Sequence, residues 1–235
     1  MKDERFPGIR ACVFDVYGTL LDFNGAVERR RDRIGEKTDE LSALWRRKQL
    51  EYSWLRSLMG HHIDFWQVTV DALEYSCEAL GIADDDLEKD LMELYRELDC
   101  YPEVPATLDI LRDAGMAVAV LSNGAPEMLE EGLRKAGIRD YFDVLLSAEI
   151  VKIYKPHPSV YMTAVDAGGF EPGEILFLSA NGWDIAGAAA FGFPTAWINR
   201  AGAPVDRLPF KPAAIVKTLA DVPALLTLGK TDPVT

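Results

Sequence analysis

Arg10-Ala-Cys-Val-Phe-Asp15-Val-Tyr-Gly-Thr-Leu-Leu21 is the stretch around which the rest of this chain is organised. Ile9 to Phe14 is a short apolar run with the length and composition of a buried strand, and it ends abruptly in a carboxylate followed by a glycine turn. In an open parallel sheet the carboxyl edge of a strand faces a crevice, because the loops part there and following helices aim their amino ends at it. An acid at that edge is a candidate reactive group. The competing reading makes Asp15 a plain turn residue near Gly18, a common use of Asp.

Beyond Pro102 the pattern alternates between helix and strand. Pro105 to Ala114 predicts a helix stopped by Gly115, and Met116 to Leu121 a strand ending in Ser122-Asn123-Gly124. Pro126 to Ala136 predicts a helix leading to a strand at Val144 to Ser147, and Pro158 to Ala167 a helix stopped by Gly168-Gly169. Ile175 to Leu178 is a strand ending in Ser179-Ala180-Asn181. Ile185 to Phe191 leads on to Thr195 to Asn199, with Ala214 to Val216 a last strand. Strands alternating with helices through short loops imply right-handed crossovers and a parallel sheet covered on both faces.

Between the first strand and this region, from Asp22 to about Asp99, the texture is helical. Leu41, Leu44, Trp45, Tyr52, Leu55 and Met59 recur at helical spacing, and Phe65 to Leu80 and Leu87 to Leu98 repeat the pattern with turns at Gly60 and Gly81. The fold class is therefore α/β, a Rossmann-like doubly wound parallel sheet with an inserted helical domain. The expected division is a core of residues 1–21 and 100–235 interrupted by a helical domain of residues 22–99, within a chain of 235 residues. The tail from Gly229 is expected to fray.

The formal net charge of −13, with acids dispersed and no basic stripe, argues against nucleic acid as a partner and asks any anionic ligand to find a local cationic pocket. Cys12, Cys77 and Cys100 show neither metal spacing nor a disulfide framework, and Cys12 reads as core. The amino terminus precedes no apolar signal segment, and no run reaches membrane-spanning length, so a soluble cytoplasmic protein is expected. Arg46, Arg47 and Lys48 are adjacent, so at most one or two of them turn toward a cleft. His61 and His62 read as diverging, exposed residues of a helix rather than as a metal pair.

Asp15, Ser122, Asn123, Ser179, Asn181 and Asp184 all fall at the carboxyl ends of predicted strands or just beyond. In a parallel sheet those ends are neighbours, which allows residues remote in sequence to share one crevice. Lys155, in Tyr-Lys-Pro-His-Pro, joins them from a loop after the strand that ends at Ser147.

Asp15-Val-Tyr-Gly-Thr19-Leu, Leu-Ser122-Asn123-Gly, Lys155-Pro and Ser179-Ala-Asn-Gly-Trp-Asp184 together resemble the four motifs of the haloacid dehalogenase superfamily. More narrowly, the segment from Trp45 to Met59 and the Ser-Ala-Asn-Gly-Trp-Asp run are similar to the L-2-haloacid dehalogenases, with the helical insert as that family's cap. Most of the superfamily are magnesium phosphatases, in which a second acid at the first motif protonates an alkoxide. Here that position is Tyr17; halide leaves as a stable anion and needs no proton. The phosphatases also place an extra acid in the last motif as a hard oxygen ligand, and aligned on Asp184 that acid is replaced by Ala180. Lys155 can balance a monoanion without a metal, so no metal and no cofactor are expected.

The resemblance implies hydrolysis of short (S)-2-haloalkanoic acids to (R)-2-hydroxy acids through an ester on Asp15. It further implies that Ser122 and neighbouring amides hold the substrate carboxylate, and that Arg46 and Asn123 receive the halide. Thr19 and Ser179 orient the nucleophile, Lys155 offsets charge, and Asp184 with Asn181 activates water. Tyr17, Leu50, Phe65 and Trp183 line an apolar pocket, although Leu50 and Phe65 read equally well as ordinary helical core. Tyr161 matches a family site position and reads equally as a structural hydrogen-bonding group. A homodimer is expected by analogy. The other functions weighed are a magnesium phosphatase, disfavoured by Tyr17 and Ala180, and a non-catalytic binding protein, disfavoured by the retained Asp15, Lys155 and Asp184.

Overall fold

The computed structural model describes residues 6–226; the expectation for the tail from Gly229 lies outside them. In chain order the elements are β1 (Ala11–Phe14), α1 (Gly25–Glu28), α2 (Arg31–Ile34), α3 (Thr38–Met59), α4 (Phe65–Leu80), α5 (Asp85–Tyr95), α6 (Val104–Asp113), β2 (Ala117–Ser122), α7 (Pro126–Lys135) and β3 (Val144–Ser147). There follow α8 (Pro158–Gly168), β4 (Ile175–Ser179), α9 (Gly182–Phe191), β5 (Thr195–Ile198), β6 (Ala214–Val216) and α10 (Val222–Leu225).

The six strands form one sheet in the order β3-β2-β1-β4-β5-β6, and every pairing is parallel. The doubly wound class expected from the alternating pattern is borne out. β1 is central and buried on both faces, which is why its sequence is continuously apolar rather than alternating. The chain moves outward from β1 through β2 to β3, then returns to the other side of β1 for β4. That reversal opens a crevice at the carboxyl ends of β1 and β4, where Phe14 pairs with Val120 on one side and Leu178 on the other. Asp15, Ser122 and Ser179 emerge at that edge because the register places the ends of β1, β2 and β4 level.

The turn after Asp15 depends on Gly18, whose φ of +87° disfavours other residues; a Cβ there would also meet the Phe23 ring at 3.3 Å. Between β1 and α6 the described chain is helical, as its spacing predicted. α3 runs six turns and is ended by Gly60 in the left-handed region, and α4 starts at Asp64, whose carboxylate accepts from the Gln67 amide. Leu41, Leu44, Trp45, Gln49 and Ser53 form the buried face of α3, against α4, and the Trp45 indole donates to Thr69 O at 2.9 Å. The two short helices α1 and α2 carry too few residues to show a period, and the sequence pattern did not reveal them.

His61 and His62 correct the expectation placed on them. They follow Gly60 and lie in the connection to α4, not on a helix. His61 is exposed, whereas His62 is largely buried, with Nε2 2.9 Å from Glu149 Oε2 and its ring against Tyr154. Cys12 is fully buried in β1, in keeping with its reading as core. No helix among the described residues is long and apolar enough to cross a membrane.

Candidate active site

Asp15 leaves β1 at the sheet's carboxyl edge and is almost fully buried. Its Oδ2 accepts from the Asn181 amide at 2.8 Å, the Thr19 hydroxyl at 3.1 Å and the Ser179 hydroxyl at 3.4 Å. Its Oδ1 accepts from Lys155 Nζ at 3.2 Å. The donors are themselves fixed: the main-chain N–H of Ala180 donates to Thr19 Oγ1 at 2.8 Å, and the main-chain N–H of Asn181, distinct from the side-chain Nδ2 that reaches Asp15, donates to Ser179 Oγ at 3.1 Å. One carboxylate oxygen is thus held by three donors while the other meets a cation.

Lys155 stands between two acids. Its Nζ also donates to Asp184 Oδ2 at 2.9 Å, and the chain at Lys155 is pinned because its own amide donates to Asn123 Oδ1 at 2.9 Å. The ammonium lies 4.9 Å from the centre of the Phe177 ring. Asp184 is fully buried at the start of α9, and its Oδ1 accepts from the Tyr161 phenol at 2.8 Å. Burial pushes the Asp184 carboxyl up to about 6; the Asp15 charge adds to this, and Lys155 and Tyr161 only partly offset it. For Lys155, burial works against the charge, but the two carboxylates outweigh it and hold the ammonium above its ordinary value. The two directions are compatible, since one ammonium shared by two carboxylates leaves a surplus negative charge, and the surplus raises proton affinity at the more deeply buried acid. Burial, reinforced by Asp184, keeps Tyr161 protonated well above its ordinary range, so the phenol remains a donor.

Asp15, Tyr17, Arg46, Leu50, Phe65, Ser122, Asn123 and Trp183 line one small, narrow cleft. The seven residues expected to bind substrate therefore meet beside Asp15, and Leu50 and Phe65 face the cleft from the helical segment rather than serving only as its core. Tyr17 stacks against Phe65 and Tyr95 at 6.5 and 5.3 Å between ring centres, and Trp183 meets Trp54 edge to face at 5.3 Å. Arg46 is the member of its basic triplet that turns inward: Arg47 is exposed and Lys48 pairs with Glu51. Ser122 Oγ accepts from the Gly124 amide at 3.1 Å, which leaves its hydroxyl proton available to a ligand. Because Asn123 Oδ1 is taken by Lys155, the Asn123 amide nitrogen is the donor left for the cleft.

Two residues that sequence reading did not single out set the aim of Arg46. Gln49 Oε1 accepts from its Nη1 at 2.7 Å, and the Phe23 ring lies 5.0 Å beneath the guanidinium. Gln49 is in turn held by Thr69 and Tyr95. Its position three residues after Arg46 was the available signal, because that spacing places both on one side of a helix.

A buried aspartate on the turn after the central strand, with a lysine brought in from a loop and a second acid from the first turn of α9, defines a hydrolase with an α/β core that works through an aspartate. Residues 9–192 match the model of the haloacid dehalogenase-like hydrolases, and the chain belongs to that family. It is 46% identical over 219 residues to (S)-2-haloacid dehalogenase 1 of Pseudomonas sp. strain CBS-3, an alignment spanning 93% of this chain and 96% of the relative. The fold matches a dehalogenase crystal structure holding an intermediate complex, with a TM-score of 0.91, 44% identity, and 93% of this chain and 97% of the other covered. It also matches L-2-haloacid dehalogenase from Xanthobacter autotrophicus with chloropropionic acid covalently bound, with a TM-score of 0.85, 35% identity, and 94% and 100% covered. The resemblance read from the four motifs is borne out.

Magnesium, which the wider fold family implies, does not fit these residues. Ala180 brings no side-chain oxygen where the phosphatases place an acid, and both oxygens of Asp184 are already engaged, by Lys155 at 2.9 Å and by Tyr161 at 2.8 Å.

Proposed function

We propose that this protein is a hydrolytic (S)-2-haloacid dehalogenase that converts short 2-haloalkanoates to (R)-2-hydroxyalkanoates. The observation that supports it most directly is a buried aspartate balanced by a lysine and opening on a cleft with apolar walls, an arginine and amide donors. Such a cleft suits a small monoanion whose reacting centre is carbon. A phosphate ester would bring more charge than Lys155 can balance, and Tyr17 offers an alkoxide no acid.

In the first step an Asp15 oxygen forms a bond to C2 on the face opposite the halogen. The carbon–halogen pair leaves with the halide, and C2 inverts. Ser122 and nearby backbone amides hold the substrate carboxylate, and Arg46 and the Asn123 amide receive the halide. In the second step water adds to Cγ of the Asp15 ester while Asp184 takes its proton. The donors from Thr19, Ser179 and Asn181, already in place on a carboxylate oxygen, stabilise the oxyanion that develops there. Collapse breaks the Cγ–ester oxygen bond and the hydroxy acid leaves with a proton. Asp15 returns as carboxylate carrying one oxygen from water, and Asp184 yields its proton to solvent. Because C2 is untouched in this step, the inversion persists. Tyr17, Leu50, Phe65 and Trp183 exclude bulk water from the cleft, which strengthens the ionic contacts inside it.

Residues 22–99 act as the cap and residues 1–21 with 100–235 as the core. The two crossings lie side by side, with Asp22 N donating to Asp99 O at 2.9 Å and Leu21 bridging Cys100, which supports this division. The protein acts in the cytoplasm. It acts as a homodimer, and the exposed apolar side chains of Leu55, Leu58 and Met59 on α3 support the dimer alone.

A single turnover in oxygen-18 water, followed by mass analysis of the peptide containing Asp15, tests the route. Label is expected in the Asp15 carboxylate and not in the first equivalent of product. Label appearing only in the product would overturn it in favour of direct attack by water.

A further inference from the structure

We propose that Arg200 is a positioning residue for the Asp15 carboxylate, acting through the main chain of Thr19; the inference rests on the dehalogenase reading. Arg200 lies just past β5, two strands from β1, and reaches across the carboxyl end of the sheet so that Nη2 donates to Thr19 O at 2.9 Å. Its Nη1 pairs with Glu103 Oε1, and its guanidinium lies 3.7 Å from the centre of the Tyr101 ring. The pair is mostly withdrawn from water, the two side chains being 20% and 19% exposed. Glu103 is held in turn, since the same Oε1 accepts from the Leu219 amide at 3.4 Å.

Thr19 is therefore fixed at both ends. Its hydroxyl donates to Asp15 Oδ2 and accepts from the Ala180 amide, while its carbonyl is gripped by a guanidinium whose partner Glu103 immediately precedes α6 and is tied to the segment after β6. The neighbouring carbonyl, Leu20 O, accepts from the Tyr101 amide at 3.0 Å, so the Tyr101–Arg200 stack secures two consecutive peptides of the nucleophile turn. A planar guanidinium forked between a carboxylate and a carbonyl restricts the turn in a way a flexible ammonium cannot. Displacements of about 1 Å in a reacting group cost on the order of a hundredfold in rate, so loosening of this turn is read in kcat rather than in binding. Arg200 is not among the residues lining the cleft, so its removal should spare substrate binding.

The test is steady-state halide release from (S)-2-chloropropanoate by the parent chain, Arg200→Met and Arg200→Lys, with thermal unfolding measured alongside. Arg200→Met is expected to lower kcat about tenfold with KM unchanged within about twofold, and Arg200→Lys to recover part of the loss. Should Arg200→Met not yield folded protein, Glu103→Gln takes its place, with kcat expected to fall about threefold at constant KM. A purely structural role would lower the melting temperature and leave kcat of the folded protein alone. A kcat within about twofold of the parent, or a KM that rises in step with the loss, overturns the inference while leaving the dehalogenase reading intact. Failure of the parent chain to release halide overturns the reading and this inference with it.

Discussion

Lys155 Nζ stands 2.9 Å from Asp184 Oδ2, and both side chains are withheld from water, with 1% and 0% of their surfaces exposed. The same ammonium reaches Asp15, so one positive charge serves two acids with different tasks. Removing that charge leaves two carboxylates buried without a counter-ion. Lys155→Met is expected to lose about 3–5 kcal/mol of stability, the range for breaking a buried ion pair from one side. Adding Asp184→Asn should restore part of that loss. Chemical denaturation of the two variants checks this, and a single variant as stable as the parent would contradict it.

Asp15→Asn removes the negative oxygen that attacks carbon while retaining the shape of the side chain. Turnover is expected to fall by at least about a thousandfold with the fold preserved. Halide release and far-ultraviolet circular dichroism provide the check, and surviving activity would refute the assignment of the nucleophile.

Asp184 must be anionic to accept a proton from water, and burial raises its carboxyl to about 6. Esterification neutralises Asp15, one of the charges that raise Asp184, so the rate of ester hydrolysis should decline only as pH falls below about 6, with a slope approaching one proton, while ester formation on Asp15 persists. Rapid-quench mass analysis of the protein distinguishes the two steps. The stability linkage has a definite sign as well. A carboxyl that binds its proton more readily in the folded chain than at its ordinary 3.8 favours folding at low pH, and that contribution is lost as pH rises from 3.8 to about 6.

Tyr161→Phe deletes the phenol that donates to Asp184 Oδ1 and so withdraws a bond that favours the anion. The acidic limb of the kcat profile is expected to move to higher pH. An unmoved limb would place the proton acceptor elsewhere.

Leu50→Ala opens the apolar wall of the cleft. The ratio of kcat/KM for 2-bromobutanoate over 2-bromopropanoate should rise about fivefold to a hundredfold, since one methylene in such a pocket is worth about 1–3 kcal/mol. A constant ratio would mean that the alkyl group does not lie against Leu50.

The apolar runs, the glycine stops and the spacing of Leu41, Leu44 and Trp45 were enough to place the strands and long helices, because burial of one face imposes a period on the residues that form it. The meeting of Asp15, Ser122, Asn123, Lys155, Ser179, Asn181 and Asp184 was also foreseeable, since a parallel sheet gathers the residues that end its strands at one edge. The short helices α1 and α2 left no period to read, and the placement of His62 against Glu149 has no local signature. Nor could any pattern show that Gln49 and Phe23 aim Arg46, or that Arg200 reaches Thr19 O. Those contacts depend on how far each helix and loop is rotated once it is packed. By itself the sequence determined which groups stand at the mouth of the sheet; only the tertiary structure decided which donor meets which oxygen, because hydrogen bonds act over a few tenths of an ångström that side-chain periodicity does not encode.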